Sequence, residues 1–157
     1  MAAAFKEQAV EEYVDPRAQF SGDASAMLNA ALIAEISSIT SDEEAKGFFQ
    51  AIGHRIAEML PLGNAESGHE ISSQINAFWR QTGWGRAVLT FDDEGIDIFQ
   101  SGLPLLPFVD EQLGDDITAY ILQGAYDGWF RSLGSGARLK TRVTRRSEGT
   151  IELRHGL

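Results

Sequence analysis

Apolar residues recur every three or four positions through three segments in the first half of the chain. This period predicts helices over about 25–38, 42–60 and 68–82, the first with an apolar stripe that includes Met27, Leu28 and Leu32. Thr40 or Ser41 before three acidic residues predicts a helix start, because a hydroxyl accepts unpaired N–H groups and carboxylates favour the positive end of the helix dipole. We interpret 1–22 as an N-terminal extension and 23–157 as one domain.

The period then changes from 3.6 to 2, which is typical of strands. Alternation at 86–91 and 96–100 around an acidic turn predicts a β-hairpin. A proline-containing connection follows, then a fourth helix that Asp115 or Asp116 would cap, and a second hairpin over 139–154. This order predicts an α+β fold in which N-terminal helices, a hairpin, a long helix and a C-terminal hairpin form a four-stranded antiparallel sheet covered by helices.

The formal net charge of −10 changes the list of expected partners. An acidic chain is repelled by nucleic acid and by anionic lipid, so neither is an expected partner. No apolar stretch approaches the roughly 20 residues of a membrane span, so we expect no direct membrane insertion. The N-terminus lacks the basic and apolar regions of a secretory signal. We therefore expect a cytoplasmic protein, with the periplasm as the alternative if another component exports it.

The residues that usually carry chemistry are absent or scattered. The chain has no cysteine, which excludes disulfides and thiolate catalysis, and its three histidines lack metal-ligand spacing. Its carboxylates lie in a predicted turn and at a predicted helix start, where they are solvated or cap the helix, whereas a glycosidase needs two of them in a cleft. We expect no enzymatic activity, no metal and no cofactor.

Two segments about 40 residues apart each place tryptophan beside glycine. Glycine allows close approach of backbones, and an indole ring anchors a contact. Each glycine inside a helix costs about 1 kcal/mol relative to alanine, so a pair on one helix face needs a reason. Packing on the chain's own sheet and close approach to another subunit both remain open. The assembly or packing candidates are Gly83, Trp84, Gly85, Gly124, Gly128 and Trp129.

A different use is open for one of the three tryptophans, namely a platform for a sugar ring. Trp84 is the best candidate, because its flanking glycines predict a turn that exposes it.

The order and spacing of four short sequence blocks resemble those of a known protein family. The blocks are Ile75-Asn76-Ala77, Gly83-Trp84-Gly85, Gly102-Leu103-Pro104 and the stretch from Gln123 to Trp129. Over about 26–155 the chain resembles the D-subunit family of bacterial cellulose synthase. The resemblance implies a non-catalytic accessory subunit at the inner-membrane cellulose synthase complex. Such a subunit forms a ring-like homo-oligomer built from dimers, contacts other subunits of the complex, and assists export, alignment and crystallisation of nascent β-1,4-glucan chains.

The resemblance also suggests a use for the extension. In that family N-terminal segments lie near the passages for nascent glucan. A polar segment with a few aromatic rings suits a sliding polysaccharide, because it contacts many sugars weakly. Phe5, Tyr13 and Phe20 are therefore candidate glucan contacts by position and chemistry.

A second function class is compatible with the same elements. A helical layer on an antiparallel sheet, with a glycine-rich helix before the last hairpin, is similar to small-ligand sensor and vesicle-tethering adaptor domains. These would bind a ligand in an apolar pocket between helices and sheet. The segment 138–154 carries six basic residues against two acidic ones. It is either a solvated strand face or a surface that meets the acidic part of a neighbouring copy.

Overall fold

A computed structural model describes residues 24–157. The candidate glucan contacts Phe5, Tyr13 and Phe20 lie outside the described residues. The helices are α1 (Ala24–Ile39), α2 (Asp42–Met59), α3 (Gly68–Thr82) and α4 (Glu111–Ser132). The strands are β1 (Arg86–Asp92), β2 (Gly95–Ser101), β3 (Lys140–Ser147) and β4 (Thr150–Gly156). The predicted α+β class and the predicted order of helices and hairpins are confirmed.

The two hairpins join into one antiparallel sheet with the strand order β1-β2-β4-β3. The central strands β2 and β4 are therefore contributed by different hairpins, and β1 and β3 are the edges. Ile98 of β2 stands opposite Leu153 of β4, and both side chains are buried. Alternation along each strand turns these apolar residues toward α3 and α4, which pack against this sheet.

Side-chain caps fix where α2 and α4 begin. The Ser41 hydroxyl accepts the Glu44 N–H at 3.3 Å, and the Glu44 carboxylate accepts the Ser41 N–H at 2.8 Å, which lowers the pKa of Glu44. The predicted start of α2 is confirmed. The predicted cap of α4 at Asp115 or Asp116 is wrong, because Asp110 caps it by accepting the Leu113 N–H at 3.2 Å. The helix therefore begins five or six residues, about one and a half turns, earlier than predicted.

Two apolar clusters form the core. The larger one fills the space between α3, α4 and the sheet with the aromatic residues Trp79, Tyr126, Trp129 and Phe130. The smaller one lies between α2 and α4 around Phe49, Ile117 and Ile121, and α1 adds Ile33 and Ile36 to its border. Ile36, which belongs to the apolar stripe predicted on α1, borders this core, but the rest of that stripe does not. Met27, Leu28 and Leu32 are exposed, and Leu28 keeps 61% of its surface accessible.

Candidate assembly and packing site

The Gly83-Trp84-Gly85 turn connects α3 to β1 and lies against the end of β2. Gly83 ends α3 in the left-handed region at φ 73°, as a residue without a β-carbon can do at little cost. A β-carbon on Gly85 would lie 1.9 Å from the Ser101 carbonyl oxygen, so only glycine fits there. Trp84 is half-buried, and its ring stacks on Trp79 with the centroids 5.9 Å apart. Use of its remaining surface as a sugar platform stays a prediction.

A buried chain of hydrogen bonds connects this turn to α3, α4 and β2. The Trp79 indole N–H donates to the Tyr126 hydroxyl at 2.9 Å, and that hydroxyl donates to the Gln100 side-chain oxygen. The Gln100 amide then donates to the Trp84 carbonyl oxygen at 2.8 Å. Burial raises the pKa of Tyr126, so the phenol keeps its proton. Buried polar groups that are all paired in this way hold neighbouring elements in one arrangement.

The two glycines of α4 face α2 of the same chain. A β-carbon on Gly124 would lie 2.0 Å from the Gln50 carbonyl oxygen, and one on Gly128 would lie 2.8 Å from the Ala57 β-carbon. Gly53 of α2 is the reciprocal residue, because its β-carbon would lie 2.0 Å from the Ile121 carbonyl oxygen. Of the two partners left open for the glycine face, the chain's own sheet is not the one that it contacts. The partner is α2, whose backbone touches that of α4.

Trp129 connects the same helix pair from the other side. Its side chain is fully buried, and its indole N–H donates to the Leu60 carbonyl oxygen at 2.9 Å. Its ring contacts Trp79 edge to face at 5.2 Å and stacks with Phe78 at 5.8 Å. The residue therefore anchors α4 to the end of α2 and to α3. A role of these glycines and of Trp129 in assembly between copies stays a prediction.

Helix side chains occupy backbone groups on both edges of the sheet. The Asn76 side chain accepts the Ala87 N–H at 2.8 Å and donates to the Ala87 carbonyl oxygen at 2.9 Å on β1. On β3, the Thr141 N–H donates to Asp127 at 3.2 Å, and the Gln123 amide donates to the Thr141 carbonyl oxygen at 2.8 Å. An incoming strand cannot pair at either position, since these groups are already used.

Asp127 is also the centre of a partly buried charged group. The residue is 8% exposed, and its carboxylate accepts the Arg131 Nε–H at 2.6 Å. His54 and His155 approach it at 3.6 and 3.9 Å, and burial lowers the pKa of His155. Within residues 24–157, no group of three ligand side chains could hold a metal ion. The sequence pattern assigned no role to Asn76, Gln123 or Asp127, although all three stand inside the blocks that carried the resemblance.

Comparison with known proteins decides the family. A family model described as the D subunit of cellulose synthase matches residues 13–156, nearly the whole chain.

The chain belongs to the cellulose synthase D-subunit family.

As a member of this family, the chain is an accessory subunit of the cellulose synthase complex, which is associated with the inner membrane. The match begins inside the predicted extension, so Tyr13 and Phe20 fall within the family region and Phe5 outside it. None of the helices in the described part of the chain has the length and apolar character of a membrane span. A search of curated proteins finds no match to this cellulose synthase accessory protein.

Solved structures share the fold of this cellulose synthase accessory protein. One is a trafficking protein particle complex subunit 3 from Naegleria fowleri, whose crystal structure shows it covalently bound to palmitic acid. The TM-score is 0.53 at 13% sequence identity, over 83% of this chain and 91% of the other. At that identity the likeness shows the fold alone.

Proposed function

We propose that this chain is a non-catalytic subunit that self-assembles into a ring-like homo-oligomer built from dimers and guides β-1,4-glucan chains during export, alignment and crystallisation. Extended glucan chains crystallise by lateral packing. An assembly that fixes their spacing therefore controls the product without making bonds. Membership of the D-subunit family supports the place of the chain in the synthase complex.

The observation that supports self-assembly most directly is the exposed apolar face of α1. This helix has sixteen residues and one charge, Glu35. A helix that is apolar on both faces is normally buried on both. One face borders the core, whereas the other leaves Met27, Leu28, Leu32 and Ile39 exposed. A second copy is a fitting cover, because a two-fold axis sets this face, apolar apart from Glu35, against itself.

The six assembly candidates have an indirect part in this proposal. Gly124, Gly128 and Trp129 hold α4 against α2, and α2 supports α1. Gly83, Trp84 and Gly85 hold the turn that connects the helical layer to the sheet. They would shape the subunit so that copies fit together, while α1 supplies the contact itself.

The glucan role is supported by position. The extension with Phe5, Tyr13 and Phe20 leads directly into α1, so copies that meet through α1 would gather their extensions in one place. Aromatic rings pack against the C–H faces of neutral sugars without charge complementarity, which suits an acidic chain. We propose that the assembly works on the cytoplasmic side of the inner membrane, with the periplasm as the alternative.

The ligand-sensor alternative lacks support in residues 24–157. It needs an apolar pocket between helices and sheet, and that space is filled by Trp79, Tyr126, Trp129 and Phe130. The chain also has no cysteine, so it cannot hold a fatty acid as a thioester.

Native mass of the purified chain tests the assembly. We expect a high-order oligomer for the wild type and a smaller species for L28E/L32E at an unchanged melting temperature. The control V88E/F99E changes two residues of similar exposure on the outer face of the sheet and should keep the full mass. A monomeric wild type, or an L28E/L32E variant of full mass, would refute assembly through α1.

Cellulose made by a deletion strain tests the glucan role. We expect lower yield and crystallinity, restored by the wild-type gene and not by L28E/L32E. The triple variant F5A/Y13A/F20A should keep the native mass and still give less crystalline cellulose. Unchanged cellulose after deletion would refute the proposed function. Full crystallinity with the triple variant would show that the aromatic residues of the extension are not needed for it.

A further inference from the structure

The loop between β2 and α4 exposes apolar side chains beside a row of carboxylates. Leu105 is 77% exposed, which is unusual for a leucine, and Phe108 is 56% exposed. A hollow of about 310 Å³ lies between residues 104–109 and the first turn of α4. A second hollow of about 270 Å³ lies on the other side of Leu105. We call residues 103–109, together with Asp110, Glu111 and Asp115, the acidic-rimmed loop.

The rim is negatively charged, although Asp110 already caps α4 and the N-terminus of that helix offsets part of the charge. Asp110, Glu111 and Asp115 line the first hollow, and no basic residue does. Arg146 lines the second hollow, but it is paired with Asp116 and lies over the Tyr120 ring at 5.7 Å. An apolar hollow with a negatively charged rim suits a protein segment in which an apolar side chain is flanked by Lys or Arg residues. The apolar side chain would enter the hollow, and the basic residues would face the rim.

A second copy of the chain is a poor fit for this rim, because each copy carries a net charge of −10. In the β3–β4 hairpin, Arg145, Arg146 and Arg154 pair with carboxylates of their own chain, whereas Arg142 donates to the Leu157 carbonyl oxygen and Lys140 has no carboxylate partner among the described residues. Arg154 contacts Asp92 at 2.7 Å and Asp97 at 3.0 Å, and Arg145 contacts Glu152 at 3.8 Å. An anionic lipid surface is repelled by the rim and by the net charge of −10. The fitting occupant is therefore a different, basic protein.

We propose that the acidic-rimmed loop docks a basic segment with an apolar anchor, of the kind that membrane proteins carry next to their spans. Such segments are rich in Lys and Arg on the cytoplasmic side of the membrane. The proposal rests on the proposed function, since it takes the partner to be a membrane-embedded subunit of the same complex. It gives an acidic chain, without a spanning helix among its described residues, a means of attachment to a membrane assembly.

Binding of a defined peptide tests the site. The probe is a fluorescein-labelled, amphipathic helical peptide of Leu and Lys, about four helical turns long, titrated with the full chain at low ionic strength. We expect L105D and E111K/D115K each to raise the Kd at least tenfold at an unchanged melting temperature, and L105S to act in the same direction. The control E43K/D93K makes the same charge change at exposed positions of α2 and the β1–β2 turn and should shift the Kd less than threefold. A Leu/Glu peptide should not bind.

Sedimentation with membranes that hold the synthase complex gives a second measurement. Wild type and E43K/D93K should sediment with them, whereas E111K/D115K should stay in the supernatant with its native mass intact. Equal peptide affinity of E111K/D115K and wild type, or equal sedimentation, would overturn the docking site. Cellulose yield of the deletion strain reports separately on the proposed function, so either idea can fail while the other stands.

Discussion

A β-carbon added to Gly53 would lie 2.9 Å from the Cα of Gly124, so these two glycines mark the point where α2 and α4 touch through their backbones. No rotation of a side chain can relieve a clash with backbone atoms. The space exists only while both residues lack a β-carbon.

Gly124→Ala should therefore lower the free energy of unfolding by about 3 kcal/mol, because the helices must separate to admit the methyl group. Urea denaturation of the purified variant measures this. Gly47→Ala is the matched control, since a β-carbon on Gly47 of α2 would meet no atom within 4 Å. That variant should gain up to about 1 kcal/mol from helix propensity. Equal effects at the two positions would contradict the assigned contact.

Tyr126→Phe should cost about 2 kcal/mol or more, because it leaves the Trp79 indole N–H and the Gln100 side-chain oxygen buried without a partner. Thermal and urea unfolding are the measurements. Tyr120→Phe removes the same atom from a half-buried ring of the same helix and should change stability by less than about 0.5 kcal/mol. A loss at Tyr120 as large as that at Tyr126 would argue against the buried chain of hydrogen bonds.

Asn76→Ala should free the Ala87 N–H and carbonyl on the edge strand β1. We expect a loss of about 1–3 kcal/mol and faster aggregation on mild heating, because an unpaired edge invites strand addition. Light scattering and thioflavin fluorescence follow the second effect. Gln81→Ala, at an exposed position of the same helix, is the control and should match the wild type. Unchanged aggregation of Asn76→Ala would show that the edge is protected by other means.

His155 should make stability depend on pH in the mildly acidic range. Burial lowers its pKa below the ordinary value of 6.5, so the unfolded chain binds a proton there more readily than the folded chain. Stability should therefore fall as the pH drops below about 6.5, with a slope of at most about 1.4 kcal/mol per pH unit from this residue. Urea midpoints between about pH 7.5 and 5 should show a shallower fall for His155→Gln, while His69→Gln, at an exposed position, keeps the wild-type slope.

The sequence predicts the order of elements well because each has a strong local signal. The capping box at Ser41 and the change of period after Gly83 are read within a few residues of chain. The predicted start of α4 is wrong because Asp110, Asp115 and Asp116 are equivalent caps on local grounds, and only the fold selects one.

Contacts across the chain explain the remaining differences. Periodicity marks Leu28 and Leu32 as apolar, but it cannot tell whether the same chain covers them. The Asn76–Ala87 and Gln123–Thr141 bonds join residues 11 and 18 positions apart, and no local pattern shows that they meet. The glycine pair of α4 predicted that another backbone comes close to this helix, but it did not identify that backbone. Gly53 becomes relevant only once α2 crosses α4.

The backbone contact between α2 and α4 also bears on mechanical behaviour. Two helices that meet without intervening side chains leave no layer of side chains to compress between them, so we expect the α2–α4 pair to behave as a rigid block. Any array built from such blocks would repeat at a constant step. A polymer that passes through the array would then meet equivalent contact sites at one constant spacing.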